Sequence, residues 1–445
     1  RQQRQRLNTA NKGKGSEFNR PKWVTVQPPP TVHELAGTLG SRAEQEPVRF
    51  AAFALTLGPD APGAYLRAIV EAVAPHLDTE HWGRLALHVH QSLGQEAAFT
   101  LCRTLQSFPV HYTPALLPIL TSCAAAAQPE GELRELDDEG THTDLLAVGL
   151  STTRGQAALT CAALLFHDAR HLPALRPLVL QLATDPVLAV RVCAAEAVRA
   201  LLKHDPQAAL GAASQLMTHQ ELSVHDAPTT QQLLIHALAR DPARFAPHLA
   251  QALEGPQRAV ELAGQTWAVT ALQGNLTPDL PASAEQLNTI ARRGAAAVLA
   301  RNPEHYRLLL PLFNDADESV RESASAVMRH AFALAAFQAE ELVQAFVTSQ
   351  AFPDNVGQLA FALHDATGPL PPAALDACEH IIGQAGSSLS DIRTIHAAHG
   401  HYVITAVLRL YRQSQPALRI RCLDIIDSLS RADAQGLNAA LEGER

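Results

Sequence analysis

One phrase, occurring twice with the same spacing, limits what this chain can fold into more than any other feature. Asp185-Pro186-Val187-Leu188-Ala189-Val190-Arg191 returns as Asp315-Ala316-Asp317-Glu318-Ser319-Val320-Arg321, with the aspartate and the Val-Arg pair at matching offsets. The apolar positions that follow also coincide: Val190, Ala194, Ala197, Val198 and Leu201 in one copy, Val320, Ala324, Val327, Met328 and Ala331 in the other. That spacing predicts one apolar stripe along an amphipathic helix. Asp185 reads as the N-cap with Pro186 at the first helical position, and Asp315 with Glu318 three residues on reads as a capping arrangement. A second apolar run precedes each copy, through Leu175, Leu178, Val179 and Leu182 and through Leu309, Leu312 and Phe313. The unit is therefore helix, short Asp-containing turn, helix.

A hairpin of that size cannot bury both faces alone, so several must stack into a shared core. The pattern resembles the HEAT repeat, in which a turn aspartate and a Val-Arg pair recur, and the resemblance implies an all-α fold, a HEAT-like α-solenoid of stacked helical hairpins. Pro47-Val48-Arg49, followed by Ala52 and Leu55, reads as a degenerate earlier copy, and residues 263–272 and 291–299 as helices of intermediate units. The two clear copies lie 130 residues apart, room for about three periods of ~40–47 residues. Composition agrees: 47% hydrophobic content with 5% aromatic leaves Ala and Leu to fill close helix interfaces, and strand-like alternation is nearly absent.

Four segments are expected: a basic, proline-ending arm (1–32), N-terminal helical repeats (33–128), an acidic loop (129–143) and the clearer repeat array (144–445). The arm holds seven basic side chains (Arg1, Arg4, Arg6, Lys12, Lys14, Arg20, Lys22) against Glu17, a charge of +6, so residues 24–445 carry −15 of the chain's net −9. Clustered Lys and Arg can hold a phosphate backbone, and residues 1–23 are the one place where nucleic acid would bind; a solvated linker is the simpler reading. The acidic run from Glu130 to Asp144 reads as a solvated inter-helix loop or a contact for a basic partner. Thr31 and Glu34 form a capping box opening the first helix.

The six cysteines (Cys102, Cys123, Cys161, Cys193, Cys378, Cys422) stand singly in apolar stretches without a CxxC pair, as buried thiols in a reducing compartment do. With no apolar run of about 18 residues and no signal-peptide pattern, a cytoplasmic protein with no membrane contact is expected. The chain begins at Arg1, and is expected to be a processed chain or the C-terminal part of something longer, the second being favoured.

Further phrases run in order from about residue 45 to 430: Glu46-Pro47-Val48-Arg49-Phe50-Ala51, the stretch from Asp144 through Arg154-Gly155 to Leu164-Leu165-Phe166, Arg293-Gly294-Ala295-Ala296, Asp391-Ile392-Arg393, and Leu408-Arg409-Leu410-Tyr411 before Arg421-Cys422-Leu423-Asp424. Together they resemble the C-terminal helical region of large bacterial P-loop ATPases of the STAND or NACHT-like kind, many of which serve in antiviral defence. The resemblance implies an ATPase and effector upstream, a protein ligand such as a phage protein read by the helical array, and self-association into a homo-oligomer. Arg154-Gly155 and Arg293-Gly294 each precede one copy of the Asp-to-Arg phrase and suggest a duplication. No GxxxxGK[ST] occurs, so this chain alone is expected neither to bind nor to hydrolyse ATP, and no cofactor is expected.

Histidine, with 21 copies, invites a search for metal sites. His396, His399 and His401 form the densest group; on an unbroken helix His401 turns away, and three imidazoles would converge on zinc only if Gly400 breaks the helix. His167 and His171 have i,i+4 spacing but lack an HExxH glutamate, and helix-end histidines explain them as well. Asp424 and Asp427 share a helix face, with Arg419 and Arg421 near enough to form a salt-bridge cluster. No GxSxG occurs. Arg191 and Arg321 are expected to reach the turn aspartates, making Asp185, Arg191, Asp315 and Arg321 a structural ladder. Two functions follow: a non-catalytic recognition and scaffold array, the sensor part of a STAND-like ATPase, or a HEAT-scaffold nucleic-acid-binding protein or enzyme, in the manner of a repeat DNA glycosylase or lyase.

Overall fold

The computed structural model describes residues 31–127, 144–218, 222–390, 395–413 and 415–442. The basic arm and most of the acidic run lie outside them, as do Asp391, Arg393 and the side chain of His396. Among the described residues the chain is all-α, a succession of helices packed as an α-solenoid.

In chain order the helices fall into pairs: α1 (Val32–Gln45) and α2 (Pro47–Ala54), α3 (Gly63–Val73) and α4 (Thr79–Leu93), α5 (Gln95–Ser107) and α6 (Leu117–Ala124). A short α7 (Leu145–Ser151) leads to α8 (Thr153–His167) and α9 (Leu172–Ala183), α10 (Leu188–Leu202) and α11 (Pro206–Met217), then α12 (Pro228–Leu238) and α13 (Pro242–Ala252). Next come α14 (Gln257–Leu272), α15 (Thr289–Leu299), α16 (Glu318–Ser325) and α17 (Ala336–Val347), α18 (Phe352–Asp365) and α19 (Ala373–Ala385), α20 (Ile395–Gln413) and α21 (Pro416–Arg431), and finally α22 (Leu437–Glu442). The first members pack in succession, α1 on α3, α5, α8, α10, α12, α14, α15, α16, α18 and α20, and make one row. Most second members make a parallel series of contacts behind it, α6 on α9, α9 on α11, α17 on α19 and α19 on α21. Apolar side chains from both rows meet between them in a single continuous core. The helices on either side of the acidic run touch directly, α5 and α6 against α8.

Local chemistry sets these elements. The capping box opening α1 is present: the Glu34 N–H donates to Thr31 Oγ1 at 3.2 Å while the Thr31 N–H donates to Glu34 Oε2 at 2.7 Å. Asp205 and Asp241 each cap a helix that begins with proline, α11 and α13.

The two copies of the repeated phrase depart from the sequence reading at their helix starts. Asp185 is not the N-cap of α10; its Oδ1 accepts the Val187 N–H at 2.8 Å, and this Asx turn leaves Val187 as the cap and Pro186 outside the helix. Asp315 likewise accepts the Asp317 N–H at 2.9 Å, and Asp317, not an Asp315–Glu318 box, caps α16 through the Ser319 N–H. The apolar stripe is also broader than expected in α10, where Ala189, Val192, Cys193, Ala195, Ala200 and Leu202 are buried along with the predicted positions. Helices α7, α8, α9, α11 and α12 all pack on α10, so Glu196 and Arg199 are the positions on it left partly open to solvent.

The second copy is helical in a different way. Its leading segment is 3-10 helix, Pro303–Leu308 and Leu310–Asn314, since Pro303 and Pro311 remove amide donors. Past α16 the chain tightens into a further 3-10 segment, Ala326–Ala333. Just before it, Ser323 and Ser325 donate their hydroxyls to the carbonyls four residues back, at 2.9 and 2.6 Å, competing with the α-helical ladder.

Between α14 and α15 the irregular segment 273–288 replaces a second-row helix, pinned where Trp267 Nε1 donates to the Pro281 carbonyl at 2.8 Å. The two helices it joins meet backbone to backbone. A Cβ on Gly264 would lie 2.1 Å from the Ala291 carbonyl oxygen, and one on Gly294 2.2 Å from that of Glu261.

Candidate recognition surface

The turn aspartates hold neighbouring units together. Asp185 is buried, with Oδ2 3.3 Å from Arg154 Nη1 at the start of α8 and the buried Arg191 contributing its charge from α10. Burial dominates at this carboxyl and pushes its pKa above the ordinary carboxylate value, against the lowering pull of the Val187 N–H and the two arginines. In the second copy Arg292 Nε stands 2.6 Å from Asp315 Oδ2, and Arg321 Nη1 donates to the Asp315 carbonyl at 2.9 Å. Arg321 also approaches Asp354 at the start of α18, at 3.6 Å, so the contacts run on into the next unit. Each clamp thus joins an arginine from the preceding first-row helix to the turn of the following one.

The Arg-Gly phrases do not superpose in role. Arg154 meets the turn aspartate, whereas in the second copy the preceding residue, Arg292, does so and Arg293 pairs with Glu261 of α14 at 2.8 Å. The cause is register: Arg154 is two residues past the Thr152 cap and Arg292 four past the Asn288 cap, so the side chains leave their helices in different directions. The glycines do share a role, close approach, since a Cβ on Gly155 would lie 2.1 Å from the Gly149 carbonyl oxygen.

The histidine candidates are spread apart. Helix α20 runs unbroken through Gly400, whose missing side chain makes room for Leu389, 3.0 Å from where a Cβ would stand. With the helix continuous, His399 is buried beside Gly357 of α18 while His401 faces solvent, so the two do not converge. His171 packs edge-on against Tyr112 at 4.7 Å, and Asp168 pairs with Arg170. No group of three or more His, Cys, Asp or Glu side chains that could hold a metal occurs among the described residues. Nor do Asp424 and Asp427 share the arginines expected for them: Arg421 reaches back to Asp376 and Glu379 of α19, at 2.6 and 2.9 Å, and Arg419 lies over the Tyr411 ring.

What the sequence does not single out is the partly exposed polar lining of the first row. Arg67 pairs with Glu96, Arg103 with Glu71, and Arg199 with Glu196 while stacking 4.8 Å over the Phe166 ring. His236 of α12 lies beside Arg199 and Arg240, and burial followed by these charges lowers its pKa. Carboxylate, guanidinium and aromatic ring thus alternate along a face whose helices are otherwise fixed by Ala and Leu. Contacts across helices about 30 residues apart carry no local spacing signal, although an aromatic on the last turn of an Ala-rich helix, as at Phe166, is a usable hint.

Among the described residues no helix is long and apolar enough to cross a membrane. No curated protein matches the chain. Residues 175–205, which comprise most of α9, the Asp185 turn and α10, match the HEAT repeat family, so the solenoid contains a HEAT-like repeat region of the type that serves as a helical scaffold for protein contacts.

Proposed function

We propose that this chain is a protein-recognition array, the sensor part of a larger STAND-like ATPase of the antiviral type, working in the cytoplasm. The observation that carries the reading is the first row itself, a continuous series of helices held in register by buried Arg–Asp clamps, whose exposed side chains change from helix to helix while the core does not. Such a face can be remodelled for a new ligand without disturbing the fold. The ordered phrases between residues 45 and 430 favour the ATPase context.

Two measurements test it. A reading frame extending upstream of Arg1 into a Walker motif supports the ATPase context, and a start codon at that point sinks it. Chemical cross-linking of the purified chain to candidate phage proteins, with the linked residues mapped, should place the partner on first-row helices. Links confined to the second row, or salt-dependent DNA binding lost on removing residues 1–23, would favour a different function.

A further inference from the structure

Along most of the first row, half-buried or exposed arginines are neutralised by a carboxylate from their own or an adjacent helix, as in Arg67–Glu96, Arg103–Glu71, Arg199–Glu196 and Arg293–Glu261. One stretch near the C-terminal end differs. Arg329, in the 3-10 segment after α16, donates from Nε to Gln358 Oε1 at 2.6 Å and lies 5.9 Å over the Phe361 ring. Phe361 of α18 stands 5.7 Å from the Tyr402 ring of α20, and His364, one turn on from Phe361, stacks on Tyr402 at 4.5 Å with the planes 29° apart. Two turns along α20 from Tyr402, Arg409 donates to the Ala366 and Gly368 carbonyls just past the end of α18. Among the described residues the hydrogen-bond partners of Arg329 and Arg409 are thus neutral oxygens, and Arg329, Phe361 and His364 are exposed.

This ridge joins the 3-10 segment after α16 to the next two first-row helices, α18 and α20. Its guanidinium groups are oriented by neutral partners, an amide oxygen in one case and backbone carbonyls in the other, so orientation is fixed without their charge being cancelled. Ring faces lie between them. Arg, Tyr and Phe in such a cluster are residue types that concentrate binding energy at protein interfaces, because they offer a large rigid area together with directed donors. The positive ridge also sits on an acidic chain, with −15 over residues 24–445, so it attracts an acidic segment that the rest of the surface repels.

We propose that the ridge formed by Arg329, Phe361, Tyr402, His364 and Arg409 is a docking site for an acidic peptide segment of a partner protein, its carboxylates taken by the two arginines and an apolar or aromatic side chain laid on Phe361 and Tyr402. The proposal rests on the protein-recognition reading above and names the partner's chemistry at one place on the array.

The test is selection of a displayed random peptide library on the whole chain, run beside Arg329→Glu and Phe361→Ala, both exposed substitutions whose thermal melts should match the parent. Enrichment of peptides combining Asp or Glu with an aromatic or large aliphatic residue is expected, with affinity for a selected synthetic peptide falling at least about tenfold in each variant. Arg329→Lys should keep part of the binding, since it keeps the charge and loses the fork. Selected peptides that are basic, or that bind both variants as well as the parent, overturn the site; the latter result leaves a recognition array that reads its ligand elsewhere. Failure to select any peptide, or preferential binding of a single-stranded oligonucleotide to the same residues, also overturns it.

Discussion

Arg292 and Asp315 meet across the boundary between two units, one near the start of α15 and the other in the turn that opens α16. Nε stands 2.6 Å from Oδ2, and Nη2 donates to Oδ1 at 3.3 Å. Both side chains are largely buried, at 18% and 8% exposure, so removing either leaves a desolvated charge behind. Arg292→Ala and Asp315→Ala should each destabilise by about 3 kcal/mol in urea unfolding, and the double variant should cost much less than their sum. Asp315→Asn separates the contributions, because its amide oxygen can still accept the Asp317 N–H. Additive losses would show that the pair is not a clamp.

The α14–α15 contact gives a sharper contrast. Alanine is the better helix former by roughly 1 kcal/mol, yet Gly264→Ala and Gly294→Ala would each drive a Cβ to within 2.2 Å of a carbonyl oxygen on the facing helix. Both should destabilise by about 1–3 kcal/mol as the helices are forced apart. Gly211→Ala, inside α11 with nothing within 4 Å of its Cβ, should instead stabilise by about 0.5–1 kcal/mol. Paired thermal melts decide between propensity and packing, and equal shifts at the three sites would refute the packing argument.

The repeat was legible because a solenoid writes its core into the sequence at a fixed spacing: Val190 and Val320, Ala194 and Ala324 occupy equivalent buried positions, and residues 175–205 match the HEAT pattern. The helices start two residues later than the sequence suggests, since Asp185 and Asp315 look like N-caps but spend Oδ1 on an Asx turn and turn Oδ2 toward an arginine of the preceding first-row helix. Gly400 resembled a breaker and is a packing glycine inside α20. The surface was hardest. Arg199 over Phe166 and Phe361 against Tyr402 join residues more than 30 positions apart, and only the stacking of units brings them together.

Thiol chemistry provides an independent check on the core. All six cysteines are buried and unlinked, and burial pushes Cys161 and Cys193 up to about 12. At pH 8 a disulfide reagent such as dithionitrobenzoate should titrate no thiol of the native chain within minutes and all six in urea. A fast-reacting equivalent would mean that one of these helices opens readily.

His225 makes stability depend on pH in a predictable direction. It lies in the 3-10 turn before α12, buried, with neither ring nitrogen in a hydrogen bond. Burial, with a smaller contribution from His248, pushes its pKa down from 6.5 to about 4. Between those values the unfolded chain holds a proton that the folded chain refuses, so stability falls as pH drops below 6.5 and the loss is complete near 4. From pH 7.5 to 5 this one group should remove about 2 kcal/mol. His225→Gln should flatten the pH dependence by that amount while His248, His171 and His90, whose pKa values are also lowered by burial, keep a residual slope. Urea unfolding of parent and variant at the two pH values measures the difference; an unchanged slope would mean that His225 is protonated in the folded chain and has found a partner there.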